Sequence, residues 1–184
     1  LITLMGGQEK FIGRLDSLFI AESKIEGPLV SSDISGLIGQ YAHGNEPSHH
    51  IVHLYNYVNQ SWKTQQLIDT ILHTQYFNNP NGLSGNEDCG QMSAWYVLNA
   101  MGFYQVCPGS PIYSVGRPIF DKVTINLPNG KVFEIIANNN SRTNKYIQSI
   151  RLDNILLESP FFMHSDIMKG GKIVMEMGNT PVKQ

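Results

Sequence analysis

Two glycine-punctuated turns gather most of the side chains of this sequence that could do chemistry. The first reads His43-Gly44-Asn45-Glu46-Pro47-Ser48-His49-His50 and leads into a helical stretch. Its Gly and Pro impose an irregular backbone, the setting in which binding and catalytic groups concentrate. Asn45 and Glu46 place an amide and a carboxylate oxygen side by side, the donor type that Ca²⁺ requires. His43, His49, His50 and His53 would instead suit a softer ion such as zinc. Against zinc, His50-Ile51-Val52-His53 has neither the i,i+4 spacing nor the Glu of a zincin helix. A plainer alternative is a solvated turn in which Asn45 or Ser48 caps the following helix and the histidines pack or hydrogen-bond.

The second turn is Gly82-Leu83-Ser84-Gly85-Asn86-Glu87-Asp88-Cys89-Gly90-Gln91, again just ahead of a helix. Carboxylates at a helix N-terminus are stabilised by the unpaired backbone N–H groups and the helix dipole. Asp88 could therefore be an N-cap worth about 1 kcal/mol. The same donors would also keep a carboxylate ionised, fit to act as a base toward water or as a metal ligand. If the loops lie at one end of a helical array, the two turns can converge on one pocket.

The elements that must position these turns follow from periodicity. Phe11, Ile12, Leu15, Leu18 and Phe19 recur at spacings of three and four, one face of a helix that opens after Gly6-Gly7. Ile51 to Val58 is expected to be helical, with Leu54, Tyr55 and Val58 on one side. Ser61 introduces a further helix carrying Trp62, Leu67, Ile68, Ile71, Leu72 and Tyr76, stopped by the breaker run Asn78-Asn79-Pro80-Asn81-Gly82. A last helix after Gly90 holds Met92, Trp95, Tyr96, Leu98 and Met101 and stops at Gly102. From Cys107-Pro108-Gly109 the pattern changes to strands. Val123–Leu127 and Val132–Ile136 flank the hairpin turn Pro128-Asn129-Gly130, and Tyr146–Leu152 and Lys172–Met177 follow. The expectation is an α+β chain, with helices over residues 1–106 and an antiparallel β-module over 107–184.

Composition bounds the function. The chain has 184 residues, 41% of them hydrophobic, enough for a real core. Charged residues make up 15%, against roughly 25% in an average soluble domain. Neutral polar groups fill the gap, including 16 Asn, and such a surface suits hydroxyl-rich ligands. The formal net charge of −2 gives no electrostatic footprint for nucleic acid or an anionic membrane. No apolar run reaches the roughly 18–20 residues of a transmembrane helix. Cys89 and Cys107 make neither a disulfide framework nor a zinc set and leave the redox compartment open. The sequence opens inside the apolar stretch Leu1-Ile2-Thr3-Leu4-Met5, which reads as an excised piece of a longer protein.

Three blocks of residues, in order along nearly the whole chain, resemble the family-92 glycoside hydrolases. The first is His43–His50 with Leu54-Tyr55-Asn56-Tyr57 and Trp62-Lys63-Thr64-Gln65. The second is Gly85-Asn86-Glu87-Asp88-Cys89-Gly90-Gln91-Met92-Ser93-Ala94-Trp95-Tyr96, and the third is Gly102-Phe103-Tyr104 with Val106–Pro111. Tyr146–Ser149 and Asp166–Gly171 fit more weakly. The resemblance implies a calcium-dependent, exo-acting α-mannosidase that hydrolyses terminal α-mannosides of glycans with inversion. It also implies that residues 1–106 are the last helices of an (α/α)6 catalytic barrel, followed by a terminal β-module. Carried over by motif, Asn45 and Glu46 look like the Ca²⁺ pair and Asp88 like the general base. Asn86 and Glu87 would support Asp88, with Asn86 standing where the family often has an acidic residue. His49, His50 and Trp62 would lie near the sugar.

One departure matters. The family's proposed general acid lies in a Glu-Gly-Asn-Ala-Trp-like segment upstream of the Gly6-Gly7 helix, and this sequence contains none. Inversion needs two carboxyl groups roughly 6.5–9.5 Å apart. This polypeptide alone is therefore expected to be inactive, with the remaining N-terminal part of the same protein as its necessary partner. Helix faces left uncovered would favour self-association. By resemblance the compartment would be periplasmic or extracellular. The alternatives are a non-catalytic carbohydrate-binding module and a structural piece whose acidic turns only cap helices.

Overall fold

A computed structural model describes residues 1–27, 31 and 34–183. Three helices dominate the first half: α1 (Gln8–Ile20), α2 (Ser61–Thr74) and α3 (Gln91–Met101). They form where the apolar spacing requires. Phe11 and Leu15 are the buried residues of α1, and Ile68, Ile71 and Leu72 form the apolar part of the buried face of α2. Met92 and Trp95 are the large buried side chains of α3, which ends at Gly102. There φ is +104° and the Gly102 N–H reaches back to the carbonyls of Leu98 and Asn99, the left-handed stop that glycine adopts without strain. Residues Ile51–Val58 are helical as expected but wound as a 3-10 helix, closed by Asn59 in the left-handed region. A two-residue hairpin, β1 (Leu37–Ile38) with β2 (Tyr41–Ala42), delivers the chain into the first turn.

The second half holds two sheets. A three-stranded antiparallel sheet joins β3 (Phe103–Tyr104), β4 (Ile112–Val115) and β9 (Phe161–Met163) in the order β3-β4-β9. A five-stranded sheet runs β5-β6-β10-β7-β8, from β5 (Lys122–Asn126), β6 (Val132–Asn138), β7 (Tyr146–Leu152), β8 (Ile155–Leu156) and β10 (Gly171–Gly178). The hairpin at 128–130 forms as read, with the Gly130 N–H donating to the Leu127 carbonyl and φ +78° at Gly130. A short helix, α4 (His164–Lys169), precedes β10.

The expectation of an antiparallel module is corrected here. Strand β10 pairs with β7 antiparallel but with β6 parallel, so the larger sheet is mixed. Alternation at period two says which residues face the core, as Phe133, Ile135 and Ala137 do in β6 and Ile173, Met175 and Met177 in β10. It says nothing about strand direction, which the passage through β9 and α4 sets.

The two halves are fastened together. Gln65 of α2 accepts the Ile147 N–H of β7 at 3.0 Å. Asp69, on the same helix, is buried against the Arg117 guanidinium at 3.1 Å and the Lys145 ammonium at 3.3 Å. Arg117, itself buried, also donates from Nη1 to the Pro118 carbonyl and from Nη2 to the Ser141 carbonyl.

Candidate functional site

The two turns meet. A Cβ placed on Gly85 would stand 2.7 Å from the Gly44 carbonyl oxygen, and one placed on Gly44 would collide with the Ser84 carbonyl. Only glycines allow backbones to come this close. Residues 43–50 and 85–91 are thus two sides of one local structure. Beside it lies an open cleft of about 590 Å³, lined by Glu46, His49, His50, Gln91 and Tyr104 among others.

The floor of this region is a neutral aromatic and histidine layer. Tyr41 lies 2.9 Å from His43 Nδ1, and Tyr76 lies 2.7 Å from Nε2. Tyr76 also lies 3.2 Å from the Met92 carbonyl, and both ring nitrogens of His43 are engaged by phenol hydroxyls. Burial, aided by neighbouring His49, lowers the His43 pKa to about 3. His53 is buried between Ser114 at 3.2 Å and Asn99 at 2.9 Å, and burial lowers its pKa to about 4. The Trp95 indole, also buried, donates to the His49 carbonyl at 3.0 Å.

His49 is held from both ends. Its Nε2 lies 3.1 Å from the His43 carbonyl, and its Nδ1 lies 3.2 Å from the Gln91 amide nitrogen. Burial lowers its pKa too. With both ring nitrogens of His43, His49 and His53 engaged by uncharged partners, the zinc alternative has no free ligands among them. Among the described residues no three His, Cys, Asp or Glu side chains gather as a metal-binding group.

Glu46 is different. It is half-buried, and its Oε1 is fully enclosed yet has no hydrogen-bond partner among the described residues. An enclosed carboxylate oxygen without a donor is costly unless something cationic or protic completes it. Asn45, half-buried beside it, is the N-cap of the short turn Glu46–Ser48 but makes no side-chain cap bond there.

The carboxylates of the second turn divide their roles in a way the spacing did not reveal. Glu87, not Asp88, reaches the helix start: its Oε1 accepts the Ser93 N–H at 3.0 Å and its Oε2 the Ser93 hydroxyl at 2.8 Å. The N-cap position of α3 is Gly90. Asp88 is exposed, in the left-handed region at φ 48°, and its carbonyl accepts the Gln91 N–H at 3.2 Å. Asn86 is exposed as well. None of Asn45, Asn86, Glu87 and Asp88 lines the cleft with Glu46, His49 and His50.

Trp62 stands elsewhere. It lines a cleft of about 320 Å³ between α2 and β7, with Gln65, Gln148 and Glu158, and its indole donates to Gln60. Its placement in the first turn of an amphipathic helix gave no sign of which way it would face. Gln91 and Tyr104, by contrast, line the cleft although the sequence reading assigned them no role. The signal available was their place: Gln91 opens α3 directly after the acidic turn.

Similarity to known proteins extends along nearly the whole chain. A family model for the glycosyl hydrolase family 92 catalytic domain matches residues 1–179. The structure of a family GH92 α-mannosidase from Bacteroides thetaiotaomicron, in complex with mannoimidazole, is 43% identical. It superposes with a TM-score of 0.90 over 96% of this chain and 23% of that one. A family GH92 inverting mannosidase from Bacteroides thetaiotaomicron VPI-5482 is 39% identical with a TM-score of 0.82, over 97% of this chain and 25% of that one. An uncharacterized secreted glycosidase of Arthroderma benhamiae is 28% identical over 97% of this chain and 21% of its own length. The chain thus spans about a fifth to a quarter of the length of these relatives.

Proposed function

We propose, on the premise that this chain belongs to glycosyl hydrolase family 92, that it forms one wall of the active site of an inverting, Ca²⁺-dependent exo-α-mannosidase acting on terminal α-mannosides of glycans. The observation that supports this reading is the seating of Gly44 against Ser84 and Gly85, which packs the turn holding Asn45 and Glu46 against the turn holding Asn86–Asp88, with Glu46 and Gln91 lining the cleft beside them. In this reading residues 1–106 are the closing helices of an (α/α)6 barrel and 107–184 a terminal β-module, and the longer protein is exported.

Asn45 and Glu46 are the residues that would hold Ca²⁺. The enclosed, unpartnered Oε1 of Glu46 fits a hard cation, and an adjacent amide oxygen is of the same donor class. Two side chains are well short of the six to eight oxygens Ca²⁺ takes, so sugar hydroxyls, water and other parts of the protein complete the shell. When bound, the ion would orient the sugar and stabilise developing charge.

The chain's own groups then have distinct tasks. Asp88 takes the proton from the attacking water, with Asn86 beside it and Glu87 holding the turn onto α3 through Ser93. His49 and His50 face the sugar from the first turn, His49 as a neutral ring. Trp62 is left out of this assignment because it lines another cleft. Inversion needs a second carboxyl group, protonated and roughly 6.5–9.5 Å from the base. That acid comes from the remainder of the catalytic domain, so the isolated 184-residue chain is inactive. Exposed apolar residues on α1 and its lead-in, such as Leu4 and Ile20, would mate with that remainder, or with a second copy when it is absent.

Calorimetry on the chain with Ca²⁺ and mannose, and activity assays on a protein that includes the rest of the catalytic domain, test this reading. Glu46→Ala should abolish calcium dependence and Asp88→Ala should collapse kcat. Near-normal turnover of Asp88→Ala would remove it from the base role. Uptake of sugar by the isolated chain without any catalytic dependence on Asp88 would favour a carbohydrate-binding module instead.

A further inference from the structure

The cleft contains a hydrogen-bond donor whose direction is fixed by a chain of pairings that starts in the buried layer. The His43 carbonyl can only accept, so Nε2 of His49, 3.1 Å away, carries the proton. His49 is neutral, burial having lowered its pKa, so Nδ1 is the acceptor. The Gln91 side-chain nitrogen, 3.2 Å from Nδ1, therefore donates to it, and this fixes which end of the Gln91 amide faces His49. The same NH₂ group lies 3.3 Å from the Tyr104 hydroxyl oxygen and offers it the second hydrogen. Tyr104 thus accepts from Gln91, and its own proton is left to donate.

That proton has no acceptor among the described residues, since Gln91 is the sole hydrogen-bond partner the hydroxyl has there. The ring does not wander: it stacks on buried His53 with centroids 5.3 Å apart and planes at 21°, and leans on Trp95 at 6.3 Å. Burial raises the Tyr104 pKa, so the phenol keeps its proton at any working pH. Tyr104 and Gln91 both line the cleft that holds Glu46, His49 and His50.

We propose that Tyr104 binds substrate directly, its hydroxyl donating to one hydroxyl oxygen of the bound hexose, and that Gln91 and His49 are positioning residues that aim it. The inference rests on reading this cleft as the glycan site and adds a specificity contact to it. A site built to pair with a particular hydroxyl discriminates against the sugar lacking it.

The test uses the hydrolase that carries this chain together with the rest of its catalytic domain, assayed on aryl α-mannoside and on its 2-, 3-, 4- and 6-deoxy analogues. Tyr104→Phe should lower kcat/KM on the parent substrate about tenfold, the loss of one net hydrogen bond, with the thermal midpoint unchanged. On one deoxy analogue, and only one, wild type and variant should become equal. Gln91→Met, which leaves the phenol in place but unaimed, should shrink the same difference and serves if Tyr104→Phe folds poorly. Equal losses on every substrate, or no loss at all, would overturn the proposal. If Glu46→Ala abolishes activity while Tyr104→Phe leaves it intact, this inference alone falls. Activity indifferent to both changes would remove the cleft's assignment itself.

Discussion

Gly44 and Gly85 touch backbone to backbone, forty-one residues apart, with the Gly44 carbonyl 2.7 Å from where a Gly85 Cβ would be. Gly85 also has φ +114°, a conformation L side chains rarely adopt. The contact turns two separate acidic turns into one surface.

Gly85→Ala is therefore expected to cost about 1–3 kcal/mol from backbone strain alone, with the steric clash against Gly44 added. Chemical denaturation of wild type and variant checks this. A variant as stable as wild type would mean the turns can part without consequence. Gly130→Ala, open around its Cβ but also at positive φ, isolates the strain from the clash.

Acid should destabilise the fold well before its carboxylates titrate. His43 and His53 have folded pKa values of about 3 and 4, depressed from 6.5 by burial. Between those values and 6.5 the unfolded chain binds more protons than the folded one, so stability falls as pH drops through that window and is flat above it for these groups. Each histidine contributes about 1.4 kcal/mol per pH unit once well below 6.5. Unfolding free energies at pH 7.5, 6.0 and 5.0 measure this directly, and equal values would contradict neutral burial.

Asp69 is buried with Arg117 at 3.1 Å and Lys145 at 3.3 Å, and this pairing ties α2 to the β-rich half. Asp69→Ala leaves the buried guanidinium without a counter-charge, a loss of about 3–5 kcal/mol. The expected result is a large drop in the urea midpoint. A drop no bigger than that of an exposed-site control such as Lys24→Ala would show the ion cluster to be dispensable.

The isolated chain should release no mannose from an α-linked disaccharide under conditions where a protein with the whole catalytic domain does. Measurable release would mean that both carboxyl roles reside within these 184 residues.

Much of the frame was legible because burial repeats are local. The spacing of Phe11 and Leu15, of Ile68, Ile71 and Leu72, and the Asn129-Gly130 turn each announced their elements. Direction and partnership were not legible. Nothing in Ile173-Val174-Met175 says that β10 inserts between β6 and β7 and runs parallel to the former, because that depends on where α4 turns the chain. The 3-10 winding of Ile51–Val58 likewise shares its apolar spacing with an α-helix.

At the site, residue types identified the two turns but not their internal division of labour. Glu87 and Asp88 are adjacent acids, and only the fold shows Glu87 bonded to Ser93. Trp62 was placed near the sugar by the resemblance alone, and in the fold it lines the α2–β7 cleft. Gln91 and Tyr104 were hidden because their function depends on the tautomer of His49, which is set by a carbonyl six residues earlier.

A crystal structure of the longer protein that includes this chain, with Ca²⁺ and a mannose-shaped inhibitor bound, probes the pairing of the turns most directly. One sugar ring should lie within hydrogen-bond reach of residues from both 45–50 and 86–91, with the ion at Glu46. An inhibitor seated against only one turn, or against neither, would contradict the single site described here.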